Sequence, residues 1–211
     1  MVASFAVDGK ELSLARRIRA VKSAPRRVPS VTLVETVVVA IWALLPAYVP
    51  NNAAVLLGGG RPIDGGRTLD GARLLGDGKT WRGALAGTLA GVAVAALLNA
   101  IAPTIGTATG LTLPTFPPVA ALALPLGAIL GDIVASFLKR RTGRSRGAAF
   151  PGLDQLDFLV GALALTALAA TTWFTATFTL PVLAAALVLT PLLHVTTNVI
   201  AYRAGLKSEP W

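Results

Sequence analysis

The chain has 211 residues, of which 54% are apolar and 14% charged, and its mean hydropathy is +0.68. It is too apolar and too sparsely charged for an ordinary soluble domain, so an integral membrane protein is expected. With no cysteine and one histidine against a formal charge of +9, the composition excludes disulfides, thiolate metal sites, a cysteine nucleophile and a multi-histidine site within one chain.

Residues 1–30 contain no long apolar run and do not read as a cleavable signal peptide. Leu12–Val21 suits a basic interfacial helix, and the segment is set apart from a membrane domain over 31–211. Runs close to the ~20 residues that cross a bilayer then fall near Val31–Val49, Ala84–Ala102, Val119–Leu138, Leu156–Phe174 and Leu180–Tyr202. This predicts an all-α integral membrane protein with about five transmembrane helices, joined by glycine-rich and basic loops. In the second run Gly83, Gly87 and Gly91 recur at four-residue spacing, which lets helix backbones approach closely. Pro46, Pro125, Pro181 and Pro191 lie inside or at the ends of runs, where kinks or broken helices are expected.

An odd number of spans puts the termini on opposite sides. The loops after the first and third spans and the C-terminal tail carry twelve Lys and Arg, whereas the short loops near 103–118 and 175–179 carry no charge. The positive-inside rule then places the charged loops in the cytoplasm, against the pull of the seven bases in the N-terminal segment. Topology control and contact with membrane lipids account for the first basic cluster equally well; no nucleic-acid partner is expected.

Chemistry concentrates in the charged loops and their flanks. Asp132 lies inside the third run, where an ionisable group is costly unless paired or facing a water-filled cavity, and is a functional candidate by default. Ser136 follows one turn later on the same face, and Lys139 one turn beyond that. Asp154 and Asp157, at i and i+3, open the fourth helix at its positive dipole end, where capping charges are the plain alternative. With Asp132 across the hairpin, a three-carboxylate Mg²⁺ site of Asp132, Asp154 and Asp157 becomes plausible, completed by water and phosphate oxygens. The loop from Asn51 and Asn52 to Gly83 contains Pro62, Asp64, Gly66, Asp77 and Thr80, with Lys79 and Arg82 suited to phosphate oxygens. Its glycines permit close backbone approach to a ligand, but it is not a Walker A loop. The two asparagine amides suit a base edge or ribose. Together these residues suit a nucleoside triphosphate with Mg²⁺ at a membrane surface.

The strings PNN (50–52), GGGxPID (58–64), LGDGKTWRG (75–83), GD (131–132), SFxKRR (136–141) and PGLDQLDF (151–158) resemble the CDP-archaeol synthases, membrane cytidylyltransferases related to the CDP-diacylglycerol synthases. The resemblance covers nearly the whole chain after residue 30. It implies transfer of a cytidylyl group from CTP to an isoprenoid ether lipid phosphate, 2,3-bis-O-geranylgeranylglycerol 1-phosphate, with release of pyrophosphate. Asp132, Lys139, Asp154 and Asp157 would be catalytic; Asn51, Asn52, Pro62, Asp64, Gly66, Asp77, Lys79, Thr80, Arg82, Ser136 and Arg140 would bind substrate. Two other readings compete. The DGxxAR…GxxxDxxxD pattern of CDP-alcohol phosphotransferases is not met, since Asp70-Gly71 runs straight into Ala72-Arg73. An ion-coupled transporter would use Asp132, Glu35 and His194, yet the acids gather at one surface among bases and glycines, and no inverted repeat is visible.

Overall fold

A computed structural model describes residues 32–143 and 152–205. The expectations placed on residues 1–30, including the interfacial helix, and on Arg144, Arg146, Pro151 and Lys207 lie outside the described residues. In chain order the elements are α1 (Leu33–Tyr48), α2 (Pro50–Leu57), β1 (Thr68–Leu69), β2 (Ala72–Arg73), α3 (Trp81–Thr109), α4 (Pro118–Arg141), α5 (Leu153–Ala169), α6 (Thr171–Thr177) and α7 (Leu180–Arg203).

Four helices are long and apolar enough to cross a membrane among the described residues: α1 continued by α2, α3, α4 and α7. Leu85, Leu89, Leu97, Val134, Val160 and Val188 stand exposed on the bundle's outside, an arrangement suited to lipid rather than water. Inside, Leu44, Leu124 and Leu159 are fully buried among small residues such as Ala40, Ala43, Ala47, Ala128 and Ala162. Small residues are what membrane helices use to pack closely, because lipid offers no hydrophobic drive for helices to associate.

The fourth predicted span differs from expectation. It forms α5, breaks at Ala170 (φ −132°, ψ 48°) and resumes as the seven-residue α6. Aromatic packing accounts for the turn: Trp173 donates its indole N–H to the Thr115 carbonyl at 2.7 Å and packs on Phe116 and Phe178. Nor do helices end at the internal prolines, since α1, α4 and α7 continue through Pro46, Pro125 and Pro191. A break there would leave backbone groups unsatisfied in lipid. The first span is interrupted instead at Val49–Pro50, where α2 begins with proline in its first turn. Helix α3 likewise overruns its expected end at Ala102 and passes Pro103, stopping at Gly110, whose φ of 73° provides a left-handed C-cap.

Glycine brings the backbones together. A Cβ added at Gly91 would stand 2.3 Å from Pro125 Cβ and 2.5 Å from the Pro46 carbonyl oxygen, and one at Gly87 would stand 2.5 Å from the Pro50 oxygen. The expected packing role of this row is what the structure shows. A tighter contact lies between α4 and α5, the most extensive helix pair. Gly127 and Gly131, one turn apart on α4, meet Gly161 of α5, and an added Cβ at Gly131 would stand 2.2 Å from the Asp157 carbonyl oxygen. Asp132 and Asp157 are held side by side by this contact.

The bundle has two unlike ends. At the one away from the charged loops, Trp42 donates to the Pro114 carbonyl at 3.0 Å, and the Asn99 side chain bonds both backbone groups of Phe116, at 2.9 and 2.7 Å. At the other end the loop 58–80 folds over the end of α4, and the charged side chains collect there.

Candidate active site

The loop is built around Asp64, whose carboxylate is almost wholly buried. It accepts hydrogen bonds from Arg73 Nη2 (2.7 Å) and Nε (3.2 Å) and from the backbone N–H of Gly66, Leu75 and Gly76 (3.0, 3.0 and 3.1 Å). The Arg73 guanidinium above all, and then the three N–H groups, hold the Asp64 carboxyl far below the usual carboxylate range despite its burial. Arg73 also reaches Asp77 at 2.6 Å. Between the two-residue strands, Asp70 and Gly71 both take positive φ (51° and 77°), the signature of a type I′ hairpin turn. This small hairpin is an addition to the expected all-helical fold. It is fastened to the membrane helices by Arg141 of α4, which donates to the carbonyls of Leu69, Ala72 and Arg73 at 2.8, 3.2 and 3.1 Å and lies over the Phe137 ring.

The same loop delivers Lys79 to Asp132, and the two form an ion pair across elements far apart in sequence. Thr80 N-caps α3, its hydroxyl accepting the Gly83 N–H at 3.0 Å. On the other side of Asp132, Lys139 pairs with Asp154 at the start of α5. Asp157 accepts the N–H of Phe158 at 2.6 Å and lies within electrostatic reach of Asp132, Lys139 and Asp154. Two lysines from different elements thus pair with two of the three carboxylates, Asp132 and Asp154.

Asp132, Lys139, Asp154 and Asp157 line a single cavity of about 410 Å³ with Asn51 and Asn52, a size suited to a small-molecule ligand. Asn51 Oδ1 is buried without a hydrogen-bond partner among the described residues, so it is an acceptor left available to a ligand. Lys79 and Thr80 border an adjoining narrow cleft shared with Asn51 and Asp132. Pro62 and Asp64 instead line a separate open pocket of about 600 Å³, with Arg61, Arg67, Trp81 and Phe137. Gly66 and Asp77 serve the loop scaffold, Arg82 is exposed, Ser136 is half-buried on α4, and the Arg140 guanidinium packs against Gly76 at 3.4 Å from where a Cβ would sit. Among the described residues no three acids are gathered closely enough to form a ready-made metal cage. The donor set still suits Mg²⁺, which takes one or two protein carboxylates and completes its octahedron with water and phosphate oxygens.

A family model described as CarS-like, CDP-archaeol synthase, matches residues 33–211. A CDP-archaeol synthase of Halobacterium salinarum is 68% identical over 179 residues, covering 85% of this chain and 99% of that protein. One from Methanosarcina acetivorans is 48% identical over 175 residues, covering 80% and 100%. The chain belongs to the CDP-archaeol synthase family. A solved intramembrane enzyme for archaeal membrane lipids biosynthesis shares the fold, with a TM-score of 0.62 at 42% identity over 76% of this chain and 92% of that one. A CDP-archaeol synthase is a CTP-dependent cytidylyltransferase of archaeal lipid synthesis, and this one is an integral membrane protein; the phosphotransferase and transporter readings fall away.

In this synthase the cavity also includes residues outside the predicted set: Tyr48, Phe158, Thr190, His194, Thr197 and Asn198. Tyr48 precedes the PNN string directly and could have been found by its position. The α7 residues carried a weaker signal, a spacing of i, i+4, i+7 and i+8 inside an apolar run.

Proposed function

We propose that the enzyme transfers the cytidylyl group of CTP to 2,3-bis-O-geranylgeranylglycerol 1-phosphate at the cavity of Asp132, Asp154 and Asp157, with Mg²⁺ as cofactor and from the cytoplasmic face. The observation that carries this reading is the single cavity in which Asp132, Lys139, Asp154 and Asp157 face Asn51 and Asn52 at the charged end of the bundle. An oxygen of the lipid phosphate attacks the α-phosphorus of CTP. A new P–O bond forms as the bond from the α-phosphorus to the α,β-bridging oxygen breaks, and pyrophosphate leaves with that bond's electron pair. A phosphate monoester is already ionised near neutral pH, so no protein nucleophile is needed, and the protein acts by positioning and charge stabilisation.

Asp132, Asp154 and Asp157, which line one cavity, would hold the metal. When bound, Mg²⁺ neutralises charge on the α-phosphate and the leaving group. Lys79 pairs with Asp132 and Lys139 with Asp154. Their ammonium groups, at the cavity and the cleft beside it, would also suit phosphate oxygens of the nucleotide. Arg82 and Arg140, outside the cavity lining, would add positive charge toward the triphosphate, and the loop scaffold held by Asp64 sets the position of Lys79.

The reading is tested by incorporation of radiolabelled CTP into chloroform-soluble product by the purified enzyme in lipid vesicles. Incorporation that needs the lipid phosphate, stops with EDTA, returns with Mg²⁺ and is far weaker with ATP supports it. Equal rates with ATP, or full activity in EDTA, overturn it.

A further inference from the structure

The cavity has two chemically different walls. Asp132 of α4, Asp154 and Asp157 of α5 and Lys139 make one of them, and its charges suit a triphosphate with its cation. Helix α7 makes the other, presenting Thr190, His194, Thr197 and Asn198 with no carboxylate and no ammonium or guanidinium group. The spacing of these four residues places them on one face of the helix. Leu192, Val195 and Ile200 on the remaining surface are exposed, whereas Thr190 is buried and His194 and Asn198 are half-buried. Polar side chains in a membrane helix are costly unless they bond to a neighbouring helix or a ligand.

That wall is fixed in place. The Tyr48 hydroxyl and the Thr190 hydroxyl share a hydrogen bond of 2.8 Å, and the Tyr48 ring meets Phe158 edge-on at 5.7 Å, next to Asp157. Helices α1, α5 and α7 are therefore tied together at the cavity itself. Thr197 is locally satisfied, donating to the carbonyls of Leu193 and His194, and His194 and Asn198, one turn apart on the same face, line the cavity half-buried. Across the cavity stands the buried acceptor Asn51 Oδ1. A nucleoside presents ribose hydroxyls and a base edge, all uncharged. An exocyclic amine of the base would give Asn51 Oδ1 the donor it lacks, and a carbonyl at that position would not.

We propose that α7 is the nucleoside-reading wall of the active site, with His194 and Asn198 as specificity-determining residues that bond the ribose and base of CTP. This rests on the cytidylyl-transfer reading above and assigns residues to a part of the substrate that reading leaves open. The lipid phosphate approaches from elsewhere and makes no contact with this pair.

The test is steady-state kinetics in vesicles for His194→Ala, Asn198→Ala and the milder His194→Gln, varying CTP and lipid phosphate separately and comparing CTP with UTP and dCTP. Each alanine variant should raise KM for CTP roughly fivefold to tenfold, the size of one lost hydrogen bond. Turnover at saturation and KM for the lipid should stay near wild type, and discrimination against UTP or dCTP should narrow. The glutamine variant, which keeps a donor and an acceptor, should recover part of the loss, and it is the one measured if an alanine variant fails to fold. Unchanged KM and selectivity for nucleotides in folded variants overturn the proposal, as does a rise confined to KM for the lipid, which would put the lipid headgroup on α7. A wild-type enzyme that fails to use CTP would instead bring down the reaction proposed above.

Discussion

Replacing Gly131 by alanine tests whether the α4–α5 glycine contact sets the active-site geometry. The new methyl carbon would stand 2.2 Å from the Asp157 carbonyl oxygen, 3.0 Å from its carbonyl carbon and 3.2 Å from Gly161 Cα, all backbone atoms that cannot rotate away. Restoring a separation of 3.0 Å requires the helices to part by roughly 0.8 Å. Overpacking of this kind costs about 1–3 kcal/mol of stability. The displacement falls on the residue next to Asp132 and on Asp157 itself, and a misplacement near 1 Å can cost on the order of a hundredfold in rate. Gly78→Ala is the control, since nothing lies within 4 Å of an added Cβ there and its φ is ordinary. Thermal unfolding in detergent and cytidylyl transfer in vesicles are measured for both. Gly131→Ala should lose stability by that amount and most of its turnover, with Gly78→Ala retaining both. A Gly131→Ala enzyme as stable and as active as wild type would refute the view that this contact positions the carboxylates.

Asp132→Asn, Asp154→Asn and Asp157→Asn should each lower turnover by orders of magnitude in protein that still extracts and melts normally; near-normal turnover removes that residue from the site. Lys79→Ala and Lys139→Ala should each cost roughly ten- to a hundredfold in kcat/KM for CTP, the equivalent of about 1.5–3 kcal/mol for a charge-assisted bond. Because the folded-state pKa of Asp64 is depressed, its contribution to stability is complete above the ordinary carboxylate value near 4 and disappears as the pH falls below it. Proteolysis of the loop 58–80 should therefore accelerate only at acid pH in the wild type and be fast at neutral pH in Asp64→Asn. Cysteines at Thr142 and Thr109, at the two unlike ends of the bundle, should be labelled from opposite sides of oriented vesicles by an impermeant maleimide, Thr142→Cys from the cytoplasmic side.

What the sequence made legible was whatever short-range pattern encodes. Apolar runs located α1, α3, α4 and α7 to within a few residues at most ends, because lipid imposes a minimum helical length. The four-residue glycine spacing announced close packing of α3. The break at Ala170 was hidden because its cause lies in Trp173 reaching Thr115 and Phe116, residues distant in sequence. In the site, Asp132, Asp154 and Asp157 were visible as charges in or beside apolar runs, and their sharing of one cavity followed from the short α4–α5 connection. The pairing of Lys79 with Asp132 needed the loop's fold, and that depends on Asp64 gathering Arg73 and three backbone N–H groups. In the sequence Asp64 is one acid in a glycine-rich string with nothing to mark it as the loop's anchor. The polar face of α7 was diluted by the leucines and valines between its members, and only the position of Tyr48 and Asp157 opposite it gives that face a purpose.

The most direct test of the central claim is to follow the phosphorus atoms. Purified enzyme in vesicles is given lipid phosphate and Mg²⁺ with CTP labelled either at the α- or at the γ-phosphate, alongside Asp132→Asn protein shown to be folded. Cytidylyl transfer at the Asp132 cavity predicts that α-label enters the chloroform phase, that γ-label is released as pyrophosphate in equal amount, and that the variant does neither. Entry of γ-label into lipid, or α-label incorporation by the variant at the wild-type rate, would contradict it.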